Sequence, residues 1–196
     1  MYEVPATVLI VPGLRDHVAD HWQTLLAARL ARVRTVPPLQ VDKLSLAARV
    51  AAIERELALI DGPVVIVAHS AGAIMTAHWA THGARPILGA LLATPADLET
   101  PLPAGYPTLD ALRDGGWLPL PRRPLPFPSL VVASENDPLA RLERTSELAR
   151  AWGSRLVNLG RVGHLNPASG FGEWPGAMAH VEQLAAGGPQ SGLPGA

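Results

Sequence analysis

The sequence predicts a three-layer α/β domain, in which a mainly parallel sheet of about six strands carries helices on both faces. Short β-branched runs alternate with longer segments of helical periodicity, and this alternation is typical of parallel sheets with right-handed crossovers. Most strand candidates are near-continuous apolar runs, as expected for strands covered on both faces. The 196 residues are 48% hydrophobic and 17% charged, which suits one domain with a substantial core.

Six segments carry strand patterns, namely residues 6–11, 33–36 (the weakest), 64–68, 87–93, 129–133 and 155–159. Helical patterns cover residues 18–32, 46–60, 71–82, 139–152 and 176–184. The second helical segment repeats apolar residues at spacings of three and four, which predicts one buried face. The residues of this face are Leu46, Val50, Ile53, Leu57 and Ile60. Glycine and proline at 62 and 63 then end the helix.

Two segments depart from the alternation. Residues 95–128 hold nine of the 20 prolines, and so long a loop inside a compact domain is usually functional or disordered. The sequence leaves open whether it forms a lid or a packing loop. The small, uncharged residues 187–196 are expected to be a flexible tail after a single domain of residues 1–186.

Composition excludes several classes of protein. Without cysteine there is no disulfide scaffold, thiolate zinc site or cysteine nucleophile. A net charge of -1 gives no electrostatic surface for nucleic acid or anionic lipid. The first residues lack the pattern of a signal peptide, and no apolar run approaches the roughly 20 residues that span a bilayer. We therefore expect a cytoplasmic protein that acts on a small molecule, with neither nucleic acid nor membrane as a partner.

The strongest local signal is a buried strand that runs directly into a helix with Ser70 at the corner, in the sequence VVIVAHSAGA. A serine held there adopts a strained backbone that projects its hydroxyl above the sheet, and only small residues fit two positions before and after it. Gly72 meets this demand, while Ala68 stands where the G-x-S-x-G motif has its first glycine. The alternative is a helix-capping serine, and the pentapeptide alone leaves both open. The His69 side chain is expected to point away from the site.

A nucleophilic serine needs a base and a group that orients the base. Asp137 follows the strand at 129–133, and His164 follows the last strand after a glycine-containing loop. The carboxyl ends of parallel strands share one edge of a sheet, so these residues can meet Ser70 there. Glu135 is a rival acid, and Asp137 could instead cap the following helix.

An oxyanion requires two N–H donors. The N–H of Ala71 at the start of the helix is one candidate, since helix N-termini favour anions. The other is the N–H of Leu14 in the loop after the first strand, where Gly13 allows the backbone to turn inward. The alternative for Pro12 and Gly13 is an ordinary turn.

Three further residues are candidates for substrate binding. Arg15 directly follows Leu14, and Asp97 follows the strand at 87–93 at the correct edge of the sheet. Trp117 lies in the proline-rich segment, where it could line a pocket or cover the core.

Other chemistries find less support. His78 and His82 are four residues apart and could share a helix face, but the sequence HWATH lacks the glutamate of the metalloprotease motif, and a zinc site would also need a third ligand and a second shell. The chain contains neither G-x-G-x-x-G nor G-x-x-x-x-G-K-[ST], which argues against a dehydrogenase or an NTPase. We therefore expect no metal.

Four segments carry a family resemblance: VPGLRDHVADHWQ, VAHSAGA, ASENDP and above all GHLNPASGFGEWP. From about Val8 to Trp174 the chain resembles the serine hydrolase family of retinoblastoma-binding protein 9 and the bacterial YdeN-type proteins, a compact branch of the α/β-hydrolases. The resemblance implies a compact α/β-hydrolase-like fold with no large cap domain. It also implies that the paired His21 and Trp22 buttress the oxyanion loop.

The same resemblance assigns Ser70 as nucleophile, Asp137 as acid and His164 as base. It implies a small carboxylesterase with modest peptide- or amide-cleaving activity and no cofactor. Retinoblastoma binding is not implied, since the leucine-x-cysteine-x-glutamate type of motif needs a cysteine. The competing hypothesis is a hydrolase-like fold that serves as an interaction or ligand-binding module with little catalytic activity.

Overall fold

A computed structural model describes residues 1–16, 18–82 and 85–187. Its six strands form one sheet in the order β2-β1-β3-β4-β5-β6, and every neighbouring pair is parallel. The strands are β1 (Thr7–Val11), β2 (Val33–Thr35), β3 (Val64–His69), β4 (Gly89–Ala93), β5 (Ser129–Ala133) and β6 (Arg155–Asn158). The predicted sheet of about six strands is confirmed, including its weakest member β2.

The helices are α1 (Trp22–Ala27), α2 (Leu46–Ala58), α3 (Ala71–Ala80), α4 (Leu109–Asp114), α5 (Leu142–Ala151) and α6 (Gly176–Ala185). In α2, Leu46, Ile53 and Leu57 are buried as the spacing predicts, and the Ser45 side chain caps the first turn. The first helix is much shorter than the predicted residues 18–32. It begins only after His21, whose extended backbone and ring nitrogen cap its first turn, because the preceding residues belong to the loop after β1.

The sheet separates two apolar clusters, because successive strand residues point to opposite faces. In β3, Ile66 and Ala68 face the cluster that contains residues of α2, α3, α4 and α5. Val65 and Val67 face the cluster that contains residues of α1 and α6. This gives the predicted three layers, and the described residues contain no cap domain.

The proline-rich segment 95–128 is ordered and has two parts. Its second half packs into the core, where Trp117 and Phe127 are 0% and 6% exposed. The predictions missed α4 in this segment, a helix of six residues capped by Thr108, because so short a helix leaves little periodic signal. Residues 188–196 of the predicted tail lie outside the described residues.

None of the described helices has both the length and the hydropathy needed to cross a lipid bilayer.

Candidate active site

Ser70 occupies a sharp turn between β3 and α3. Its backbone has φ 57° and ψ -126°, a conformation that non-glycine residues rarely adopt and that neighbouring structure must enforce. The hydroxyl makes no capping hydrogen bond to α3 and instead lies 2.8 Å from His164 Nε2. The helix-capping alternative is therefore wrong.

Close packing around this turn explains the small residues of the motif. A Cβ atom on Gly72 would lie 2.3 Å from the carbonyl oxygen of Val11 and 2.6 Å from that of Pro12, so only glycine fits there. Ala68 is fully buried, and the strained turn forms with alanine in place of the first glycine of the motif. On the other side, a Cβ on Gly13 would lie 3.2 Å from Ser70 Cβ, which shows how closely the loop after β1 approaches the serine.

His164 is held between Ser70 and Asp137. Its Nδ1 lies 2.9 Å from Oδ1 and 2.8 Å from Oδ2 of Asp137, and the two side chains are only 3% and 2% exposed. Asp137 Oδ1 also accepts a hydrogen bond from the N–H of Leu139, so this carboxylate both contacts the imidazole and caps the next turn. The rival acid Glu135 is exposed and accepts from Asn158 Nδ2 instead.

Two polar side chains that the sequence did not point to fix the loop carrying His164. The N–H of Gly163 donates to Asn136 Oδ1 at 2.8 Å, and the N–H of His164 donates to Ser169 Oγ at 2.9 Å. Leu165, the next residue, has φ 48°. These contacts hold the imidazole in place against a strained backbone.

His69 lies against His164, contrary to the expectation that it points away. Its Nε2 is 2.8 Å from the backbone oxygen of His164, and the two ring centroids are 4.8 Å apart. The reason is strand alternation, which turns His69 to the α1 and α6 face of the sheet, where the last loop returns. His21 packs on its other side, with ring centroids 4.5 Å apart.

Burial keeps both neighbouring histidines neutral. It lowers the pKa of His69 well below its usual value, and the charge of protonated His164 lowers it further. Burial and the same charge lower the pKa of His21 to about 4. At neutral pH neither of these neighbouring rings therefore carries a positive charge beside His164.

The oxyanion candidates Leu14 and Ala71 both line the cavity into which Ser70 and His164 open. The Gly13 carbonyl accepts from the N–H of Asp16 at 3.0 Å, which turns the loop after β1 back toward the serine. Leu14 thus lies on a loop whose course is fixed beside Ser70, while Ala71 begins α3.

Two side chains from helices hold this loop. Gln23 Nε2 donates to the carbonyls of Val11 at 3.3 Å and Val67 at 3.0 Å, which ties β1 to β3. Arg49 of α2 donates to Asp16 Oδ1 at 2.5 Å. His21 and Trp22, expected to buttress the loop, are both buried, and His21 lines the cavity.

The cavity above Ser70 measures about 200 Å³. Of the three predicted substrate-binding residues, only Arg15 lines it, with its guanidinium 5.2 Å from the centre of the Tyr106 ring. Asp97 does not line it, because its carboxylate is buried and accepts from Thr100 Oγ1 and Arg144 Nε, both at 3.1 Å. Trp117 does not line it either, because the ring is buried in the core with Nε1 donating to the carbonyl of Leu44.

The two histidines considered as zinc ligands contact backbone carbonyl oxygens instead. His78 Nε2 lies 3.1 Å from the carbonyl oxygen of Trp117, and His82 Nδ1 lies 2.9 Å from that of His78. Within the described ranges, no three histidine, cysteine or acidic side chains are grouped so that they could hold a metal ion.

Comparison with solved structures finds hydrolases of similar fold. A YdeN-like hydrolase from Pectobacterium atrosepticum is 32% identical, with 92% of this chain and 91% of that chain covered and a TM-score of 0.76. The ydeN gene product from B. subtilis is 17% identical over 92% and 99% of the two chains, with a TM-score of 0.73. An alpha/beta superfamily hydrolase from Oenococcus oeni is 13% identical over 92% of each chain, with a TM-score of 0.66.

A search of curated proteins gave no match. The sequence model of one family, described as Serine hydrolase, matches residues 8–183, which is most of the chain. With this match and the YdeN-like neighbour above 30% identity, the chain belongs to the serine hydrolase family of the α/β-hydrolase superfamily.

Proposed function

We propose that this serine hydrolase cleaves small carboxylic esters through an acyl-enzyme formed on Ser70. One observation carries the proposal: a hydrogen-bonded chain runs from Ser70 Oγ through both ring nitrogens of His164 to Asp137, with contacts of 2.8 to 2.9 Å. Ser70, at one end of this series of hydrogen bonds, lines an open cavity, where a substrate carbonyl can reach the hydroxyl. This is the geometry that a base and an orienting acid need to activate an alcohol.

In the first half of the reaction, Ser70 Oγ attacks the ester carbonyl carbon while His164 Nε2 takes the hydroxyl proton. The negative charge that develops on the carbonyl oxygen is stabilised by the N–H groups of Leu14 and Ala71. Asp137 stabilises the imidazolium through Nδ1. The bond to the leaving alcohol then breaks, His164 returns its proton to that oxygen, and the acyl group stays on Ser70.

In the second half, water attacks the acyl-enzyme. His164 takes a proton from the water as the new carbon–oxygen bond forms, and the same two N–H groups stabilise the second oxyanion. The bond to Ser70 Oγ breaks, the serine regains its proton from His164, and the carboxylic acid leaves. No cofactor takes part in either half of this proposed cycle.

Labelling with a fluorophosphonate probe tests the nucleophile. We expect one covalent adduct, located by mass spectrometry on the peptide containing Ser70, because the probe reacts with hydroxyls activated by a base. Ser70→Ala should lose both the adduct and the hydrolysis of p-nitrophenyl acetate while its circular dichroism spectrum is unchanged. A folded protein with no adduct, or with an adduct on another serine, would contradict the proposal and favour a binding module.

A further inference from the structure

The cavity over Ser70 has one wall without polar side-chain atoms apart from a phenol. This apolar wall consists of Ala96, Leu98, Leu102, Tyr106 and Leu139. Four of the five come from the first half of the proline-rich segment, whose second half packs into the core. Ala96, Leu98 and Leu139 are nearly fully buried, whereas Leu102 and Tyr106 are half-buried. The wall thus extends from the interior toward solvent.

The cavity offers no free carboxylate to a cationic substrate. Asp16 is the one acidic residue among the described lining residues. Its carboxylate already pairs with Arg49, and the two side chains are 18% and 5% exposed. An ammonium group inside the cavity would therefore lose its hydration without gaining a counter-ion, which is costly.

The positive charge of Arg15 at the mouth of the cavity also disfavours a cationic substrate. Arg15 lines the cavity from an exposed position, with its guanidinium over the ring of Tyr106. Among the described residues it forms no ion pair. Its positive charge repels an entering cation.

Cavity size limits the length of the substrate. The cavity volume is about 200 Å³. This is below the roughly 300 to 1,000 Å³ of pockets that enclose drug-sized ligands.

We propose that the apolar wall receives a short, uncharged aliphatic acyl group, and that the site rejects acyl groups whose chain carries an ammonium. This inference rests on the proposed function, because it places the acyl group beside Ser70. It separates an esterase for short, uncharged acyl groups from a hydrolase whose acyl pocket receives an ammonium.

A series of p-nitrophenyl esters tests the proposal with one constant leaving group: acetate, butyrate, heptanoate, dodecanoate and 6-aminohexanoate. The heptanoyl and 6-aminohexanoyl groups have the same length. They differ by an ammonium in place of the terminal methyl. We expect kcat/KM to rise by up to about fourfold per buried methylene from acetate to heptanoate, with no further rise at dodecanoate. The 6-aminohexanoate ester should react about 100-fold more slowly than the heptanoate ester.

Two leucine variants locate the effect on the wall. Leu102 and Leu125 are both half-buried residues of the proline-rich segment, but only Leu102 lines the cavity. Leu102→Ala should lower the ratio of heptanoate to acetate kcat/KM by about tenfold, whereas Leu125→Ala should leave that ratio unchanged. Because each ratio is taken within one protein preparation, a partly unfolded fraction cancels.

Equal kcat/KM for acetate and heptanoate, or for heptanoate and 6-aminohexanoate, would overturn the inference, as would equal ratios in the two variants. Failure of the proposed function looks different. In that case the parent protein would not hydrolyse any of these esters, or its turnover would persist in Ser70→Ala.

Discussion

His69 makes a hydrogen bond to the loop that carries His164, the proposed base. Its ring lies beneath His164 and, being neutral, can donate Nε2–H to the His164 backbone carbonyl at 2.8 Å. Among the residues that the structure describes, the same carbonyl has one further side-chain contact, 3.5 Å from Thr94 Oγ1. If His164 is the base, we expect His69 to be a positioning residue, since it would act on the substrate only through the loop that holds the imidazole.

His69→Leu should lower kcat for p-nitrophenyl acetate about tenfold, the effect of one buried hydrogen bond, with KM changed less than about twofold. His69→Gln keeps a side-chain N–H and should recover most of the loss. The matched control is His78→Leu, which removes a similar histidine-to-carbonyl contact outside the cavity. It should lower the melting temperature without lowering kcat, and equal kcat losses in the two leucine variants would refute positioning.

Prediction at the residue scale has a physical limit. Ser70, Asp137 and His164 could be placed at one edge because each follows a strand that local patterns identify. The contacts of Asn136 and Ser169 with the His164 loop depend on how loops distant in sequence fold over one another, and no local pattern encodes that. The same limit explains why the buried Trp117 was a candidate for substrate binding, while Leu102 of the same segment, which lines the cavity, was not.

At the scale of elements, α2 holds the loop after β1, which carries the proposed oxyanion donor Leu14. Arg49 is 4% exposed, and its guanidinium donates both to Asp16 in that loop and to the carbonyl of Lys43. Asp16 itself has φ 55°, so the ion pair stabilises a backbone conformation that is costly on its own. The helix thus helps to place the N–H of Leu14.

Arg49→Met should lower the free energy of unfolding by about 2 to 3 kcal/mol, because it leaves a largely buried carboxylate unpaired. It should also lower kcat, since the loop bearing Leu14 is released. Arg113→Met is the control, because the ion pair of Arg113 with Asp110 on α4 is exposed and should contribute less than about 0.5 kcal/mol. Urea unfolding and ester turnover measure both variants, and an Arg49→Met protein as stable and active as the parent would contradict this role.

Element boundaries were predicted best where packing and local preference agree. The periodic apolar face of α2 and the continuous apolar run of β3 correspond closely to the observed elements. Residues 18–21 were predicted to be helical but form a turn, because the carbonyl of Val18 accepts from the N–H of His21 and from Thr24 Oγ1, and such contacts outweigh weak helix propensity. Such conflicts concentrate near the candidate site.

For the whole molecule, buried histidines predict acid sensitivity. Burial lowers the pKa values of His21, His69, His78 and His180 below 6.5. Below pH 6.5 the unfolded chain binds protons that the folded protein does not, so stability falls as pH decreases. With its pKa lowered to about 4, His21 alone would account for about 3 kcal/mol once the pH has fallen to that value.

Urea unfolding at pH 7.5, 6.0 and 5.0 checks this expectation. The free energy of unfolding should be nearly constant above pH 6.5 and should decrease steadily below it. His21→Asn keeps an acceptor at the N-cap of α1 and removes one titrating group, so its profile should be flatter. A parent profile that is level from pH 7.5 to 5.0 would show that these histidines do not govern stability.

Because all six strands run in the same direction, the rim at their amino ends lies a full strand length from Ser70. The turn at residues 61–63, which enters β3 on that rim, is exposed. A biotin acceptor peptide inserted there would tether the protein to a sensor chip with its cavity open to the flowing solution. Ligand capture could then be recorded on immobilised molecules that share one orientation.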